Sequence, residues 1–117
     1  MGELTLDMIH NGILREMNEL ERLVEEIREA GKRSAIADAT HKTDFSEKRL
    51  QVRALYKHQK MTVDQIADIA TSSTDETYTD YVINSNNLMT LREALRASQA
   101  RLDGWRTLAV SFRNAGG

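Results

Sequence analysis

The stretch that decides the fold is residues 73–115, STDETYTDYVINSNNLMTLREALRASQARLDGWRTLAVSFRNA. One set of positions in it recurs in strict three-four alternation, the heptad pattern of a helix that packs along one side. The positions of this seam are Tyr81, Asn84, Leu88, Leu91, Leu95, Ser98, Leu102, Trp105, Ala109 and Phe112. The pattern predicts one long helix over residues 75–114.

A helix of that extent is roughly 60 Å long at about 1.5 Å per residue, which is longer than a compact small domain is wide. No other predicted helix of the chain is long enough to cover the seam alone. We therefore expect an elongated all-α fold of the helical hairpin or coiled-coil type that assembles into a homo-oligomer. The predicted oligomer interface consists of the larger seam residues Leu88, Leu91, Leu95, Leu102, Trp105 and Phe112.

The rest of the chain is also read as helix, in a single domain over residues 1–117. Apolar residues at helical spacing predict a helix over residues 5–30, which Gly31 is expected to end. A second helix is predicted over residues 34–58. A short third helix over residues 62–70 follows a capping box of Thr62 with Gln65, and a second box of Ser73 with Glu76 is expected to start the final helix.

Composition excludes several classes of protein. The 117 residues contain no cysteine and no proline, so a disulfide framework and a thiolate metal site are absent. No run approaches the roughly 18 apolar residues of a membrane span, and the N-terminus lacks the basic start of a secretory signal. We expect a cytoplasmic protein, in the host cytoplasm if a phage encodes it.

Charge is distributed in blocks of alternating sign. Residues 1–30 carry eight acids against three bases, and residues 31–60 carry eight bases against three acids. Residues 61–90 carry five acids and no base, whereas residues 91–117 carry five bases against two acids. The sequence therefore predicts separate acidic and basic zones.

No motif for catalysis or cofactor binding is present. The chain has no glycine-rich phosphate-binding loop. Its three histidines, His10, His41 and His58, lack the spacing of metal ligands. Ser46 and Ser111 have no base near them in the sequence. We predict a protein that is not an enzyme, with no cofactor, no metal and no catalytic residue.

The basic zone supports a binding hypothesis. Arg49, Arg53 and Lys57 fall on one helix face at i, i+4 and i+8, and Tyr56 beside them offers a ring on which a base can stack. The alternative is a solvated face that neutralises the acidic first helix. The candidate nucleic-acid-binding residues are Lys42, Lys48, Arg49, Arg53, Tyr56, Lys57 and Lys60.

Residues 50–112 resemble small phage proteins grouped with recombination mediators of the UvsY type. The resemblance rests on Met61-Thr62-Val63, on Tyr78 and Tyr81, on LMTLREALR at residues 88–96, on Arg101-Leu102 with Trp105-Arg106, and on the basic RALYK at residues 53–57. It implies a ring-like oligomer without ATPase activity. Such an oligomer would bind single-stranded DNA and help to load a RecA-type recombinase onto strands covered by single-strand-binding protein. The acidic first helix is not explained by the resemblance.

Three functions are therefore open. The first is a phage or prophage recombination mediator that binds single-stranded DNA as a homo-oligomer. The second is a structural coiled-coil adaptor or virion-assembly protein that binds no DNA, in which charge blocks match one helix to another. The third is a small inhibitor of a host nucleic-acid enzyme, favoured by the acidic patches in residues 1–30 and 61–90.

Overall fold

The structure is a computed structural model that describes residues 3–116. Within these residues it contains three α-helices and no strand: α1 spans Leu6–Leu55, α2 spans Val63–Ser73 and α3 spans Asp75–Ala115. The predicted all-α fold with a long C-terminal helix is confirmed. None of these helices is both long and apolar enough to cross a membrane.

The first helix corrects the predicted boundaries. Residues 6–55 form one helix of 50 residues. The first predicted helix therefore does not end at Gly31, and no new helix begins at Ser34. A glycine inside a helix costs about 1 kcal/mol, and burial of apolar residues such as Ala30 and Ala37 along this stretch favours the continuous helix. The helix ends at Leu55 rather than residue 58.

The two predicted capping boxes have different outcomes. Thr62 Oγ1 accepts a hydrogen bond from the Gln65 backbone N–H at 3.1 Å, and Gln65 Oε1 accepts one from the Thr62 N–H at 2.9 Å, so the first box is confirmed. The second box is wrong. Ser73 is the last residue of α2 and its hydroxyl donates to the carbonyl of Ile69 at 2.8 Å. The helix α3 begins two residues later, directly after the buried Thr74.

The packing divides the chain into two compact units. Unit 1 comprises Met1–Glu29 with Met89–Gly117, and unit 2 comprises Ala30–Leu88. Each unit combines an acidic stretch with a basic one, because residues 1–29 and 61–88 are acidic while 30–60 and 89–117 are basic. The charge blocks are thus matched inside each unit.

In unit 1 the start of α1 packs antiparallel against the end of α3. Gly12 lies against Trp105, and Glu16 lies against Ser98 and Arg101, so residue numbers rise on one helix as they fall on the other. Ile9 and Leu23 of α1 and Ser98 and Leu102 of α3 are buried in this unit.

In unit 2 the end of α1 packs against α2 and the start of α3. His41 of α1 contacts Thr77, Tyr78 and Tyr81 of α3. Ala37, Val52, Ala70 and Thr74 supply the buried positions.

The seam of α3 faces inward, as its period predicts, but the expectation that no other helix matches it in length was wrong. Since α1 is continuous over 50 residues, it is longer than α3, which spans 41 residues. Of the predicted interface residues, Leu88, Leu91, Leu95 and Trp105 are half-buried, Leu102 is buried, and only Phe112, at 39%, counts as exposed. Association between copies through these residues stays a prediction.

Candidate nucleic-acid interface

The predicted basic zone lies on the last turns of α1 and on the short turn that follows the helix. The Tyr56 N–H still donates to the Val52 carbonyl at 3.0 Å, and the Gln59 N–H then donates to the Tyr56 carbonyl at 2.9 Å. Val52 is buried and holds this end of α1 in unit 2. The turn presents Tyr56 and Lys57 beside the last helical turn, where a cation such as Arg53 also interacts favourably with the helix dipole.

Arg53, Tyr56 and Lys57 surround one surface depression. Its volume is about 250 Å³, and Val52, Gln59, Met61 and Ile66 complete its lining. Tyr56 is 38% exposed, so part of its ring is open to a ligand. The structure therefore brings two cations and an aromatic ring together beside apolar side chains. Proteins use this combination to bind single-stranded nucleic acids.

Arg53 also borders a second depression of about 230 Å³, which Ser46, Arg49 and Leu50 line with it. The guanidinium of Arg49 lies over the Phe45 ring, 5.8 Å from its centroid. Its Nε is buried and has no hydrogen-bond partner within residues 3–116. The predicted helix face is thus present for Arg49 and Arg53, whereas Lys57 lies in the turn after α1 and shares only the depression of Arg53.

Of the remaining predicted contacts, Lys42 and Lys48 lie apart from this face, whereas the depression at Lys60 shares Gln59 and Met61 with that of Arg53. Lys42 forms an ion pair with Asp38 at 3.1 Å. Lys48 is half-buried, and as the neighbour of Arg49 it points about 100° away around the helix. Lys60 borders a further depression of about 430 Å³ together with Asp68, whose carboxylate weakens the positive field there.

The charge at this end of α1 is not compensated locally. Residues 48–63 contain five bases and no acid. In the described part of the chain, Arg53, Lys57 and Lys60 form no ion pair. We define the basic end of α1 as Arg49, Arg53, Tyr56, Lys57 and Lys60.

A polar and aromatic cluster in unit 2 was not predicted. The Thr77 hydroxyl donates to Asp44 Oδ2 at 2.8 Å and lies 3.2 Å from His41 Nδ1. The His41 ring also packs on Tyr78 and Tyr81, with centroid distances of 5.5 and 6.4 Å. The same hydroxyl lies 3.1 Å from the Thr74 carbonyl oxygen. The cluster therefore joins α1 to α3 within unit 2.

A second polar cluster, in unit 1, was also missed. Glu16 is buried, and its carboxylate accepts hydrogen bonds from Ser98 Oγ at 2.7 Å and from Arg101 Nε at 2.8 Å. Both bonds lower the pKa of Glu16 below its usual value, and the bond from Arg101 has the larger effect. Arg101, whose side chain is 53% exposed, is thus a structural partner of Glu16. The sequence carries one signal for this cluster, which is a polar residue, Ser98, at an inward position of the seam. Glu16 lies 82 residues away, so no local pattern links the two residues.

The acidic side of unit 1 is partly neutralised within α1. Arg22 donates to both Glu19 and Glu26, and Arg28 donates to Glu25 at 3.0 Å. The bond from Arg22 lowers the pKa of Glu19. Groups of three or more histidine, aspartate or glutamate side chains placed to hold a metal ion do not occur in residues 3–116.

Comparison with known proteins gives no match: no family model, no curated protein and no solved structure is similar to this chain. The resemblance to recombination mediators therefore stays an expectation.

Proposed function

We propose that this chain binds single-stranded DNA without sequence preference through the basic end of α1. The observation that carries the proposal is the shared depression of Arg53, Tyr56 and Lys57, in which neither cation forms an ion pair with any of residues 3–116. Phosphate groups would displace water and counterions from the cations, and a base would stack on the tyrosine.

The geometry favours a single strand over a duplex. A duplex presents its phosphates outward and keeps its bases stacked, so a tyrosine between two cations has nothing to contact there. A single strand has unstacked bases and follows a narrow positive groove. The cations are few, so we expect micromolar binding that is lost as salt rises.

The wider proposal is an accessory role in recombination, with a RecA-type recombinase and single-strand-binding protein as partners. Its support is the resemblance of residues 50–112 to UvsY-type mediators. The proposal requires no chemistry from the chain itself.

The test is fluorescence anisotropy with labelled oligo(dT) at about 50 mM salt. For each phosphate contact on a single strand, the logarithm of the association constant falls by about 0.7 when the salt concentration rises tenfold. Loss of two contacts, in Arg53→Ala with Lys57→Ala, should therefore weaken binding on the order of 50-fold. The matched control removes two exposed arginines elsewhere, Arg33→Ala with Arg96→Ala, and should change binding far less. Equal loss in both variants would contradict a localised site.

A further pair of variants tests the stacking contact. Tyr56→Ala should weaken oligo(dT) binding by about fivefold or more, because a base on an aromatic ring contributes about 1–3 kcal/mol. Tyr56→Phe keeps the ring and should bind almost as the natural chain does. If both variants bind equally well, the tyrosine does not stack on a base.

The second candidate is a structural adaptor that binds no DNA. The observation that favours it is the matching of acidic with basic stretches inside each unit, which leaves unit 2 with eight acids and eight bases. Absence of oligo(dT) binding at low salt would select this candidate.

A further inference from the structure

Unit 1 leaves one apolar flank uncovered. On α1, Leu6, Met17 and Val24 are 43%, 43% and 49% exposed. Together with the half-buried Ile13 and Leu20 they form a stripe at helical spacing, about 80° around the helix from the buried Ile9 and Leu23. A contiguous exposed apolar stripe of this kind is typical of a surface that contacts another protein.

The same side of α3 is also open. A depression of about 560 Å³ is lined by Leu6 and His10 of α1 and by Arg106, Val110, Phe112 and Arg113 of α3. Val110 is 46% exposed. Both helices of unit 1 thus present apolar side chains to one shared face.

The two borders of this face carry opposite charge. On α3, Arg92, Arg106 and Arg113 lie in one row at intervals of seven or fourteen residues. On α1, the outer border of the stripe carries Glu3, Asp7 and Glu21. Among residues 3–116, none of these six side chains forms an ion pair.

We propose that this face is the contact surface for a second copy of the same chain. A two-fold axis parallel to the helices places α1 of each copy against α3 of the other copy. The acidic border of each α1 then lies beside the arginine row of the other copy's α3. All neighbouring helices are then antiparallel, as in a four-helix bundle. A two-fold axis perpendicular to the helices would instead place α1 against α1 of the other copy, where the two acidic borders would repel each other.

The size of the face suits such a dimer. The 24 residues of α1 in unit 1 are about 36 Å long, and two adjacent helices are about 20 Å wide. The face therefore offers on the order of 700 Å² per copy, close to the roughly 800 Å² per partner of a standard specific interface.

The first test is the mass in solution by light scattering at tens of micromolar protein. The natural chain should have twice its mass of 13.3 kDa. Met17→Glu with Val24→Glu should halve that mass while circular dichroism stays helical, because both positions are exposed in the single chain. The control, Met89→Glu with Leu108→Glu, adds the same charge at exposed positions off this face and should stay dimeric. A natural chain of any other mass, or a dispersed control, would overturn the proposal.

The second test fixes the arrangement and uses the absence of natural cysteines. Met17 and Gln99 lie at the same level of unit 1, since Glu16 contacts Ser98. A mixture of Met17→Cys and Gln99→Cys chains should form a disulfide-linked dimer under mild oxidation, and each variant alone should form little. The control mixture, Arg15→Cys with Ala97→Cys, places exposed cysteines away from this face and should not cross-link. Efficient cross-linking of Met17→Cys alone, or none in the first mixture, would refute the proposed arrangement.

Discussion

Trp105 of α3 packs directly on the backbone of Gly12 in α1. A methyl group in place of a Gly12 hydrogen would lie 2.6 Å from Trp105 Cζ2, closer than two carbon atoms approach. Gly12 is buried, and the indole occupies the space that any other residue would fill. This contact sets the distance between the two helices of unit 1.

Gly12→Ala is predicted to destabilise the chain. Alanine improves helix propensity by about 1 kcal/mol, but overpacking against the indole costs about 1–3 kcal/mol, so the net effect should be a loss. The measurement is the urea midpoint followed by circular dichroism. Gly104→Ala is the control, because nothing lies within 4 Å of a Cβ there, and it should gain about 0.5–1 kcal/mol. A stabilised Gly12→Ala chain would show that the contact is absent.

Leu102 tests whether the seam belongs to the core of the single chain. It is only 6% exposed, so Leu102→Ala should cost about 2–5 kcal/mol of unfolding free energy. Leu102→Asp should unfold the chain rather than merely separate copies. Ile83→Ala, at an exposed position of the same helix, should cost less than about 1 kcal/mol. A folded, monomeric Leu102→Asp chain would instead restore the seam as an interface between copies.

Glu16 makes stability depend on pH. Its pKa is lowered in the folded chain, so the ionised carboxylate stabilises the fold above the unfolded pKa of about 4.3. That stability is lost as pH falls through the folded pKa. Glu16→Gln should therefore be less stable than the natural chain at pH 7, with the difference shrinking below pH 4. Glu93→Gln, at an exposed acid, serves as the control. A difference that is constant with pH would rule out the ionised carboxylate as its source.

Thr77 joins the two long helices of unit 2. Thr77→Val keeps the shape of the side chain but leaves Asp44 and His41 without their shared partner, at a cost of about 1–3 kcal/mol. Thr79→Val changes an exposed threonine two residues away and should be nearly neutral. Chemical denaturation of both variants measures the difference, and equal midpoints would mean that the bridge contributes nothing.

The elements that local patterns encode were predictable. The three-four period of α3 identified its inward positions, and the Thr62 capping box identified the start of α2. The length of α1 was not predictable from the same rules. Gly31 resembles a helix stop, but the helix continues through it, and Ala30 and Ala37 on that stretch are buried by tertiary packing that no local rule predicts. From that one error followed the expectation that the seam had no cover in its own chain.

The candidate site was predicted in part for the same reason. Arg49, Arg53, Tyr56 and Lys57 are near neighbours in sequence, so the last turns of α1 and the turn after it bring them together. The contacts of Glu16 with Arg101 and of Thr77 with Asp44 join residues far apart in the sequence, and no spacing rule reaches them.

The most direct test of the proposed function is the salt dependence of oligo(dT) binding. Four cations at the basic end of α1 predict a slope of about −3 in log K against log salt, at about −0.7 per contact. The Arg53→Ala, Lys57→Ala chain should give a slope of about −1.4. No binding of the natural chain at low salt, or one slope shared by both proteins, would contradict DNA binding at this site.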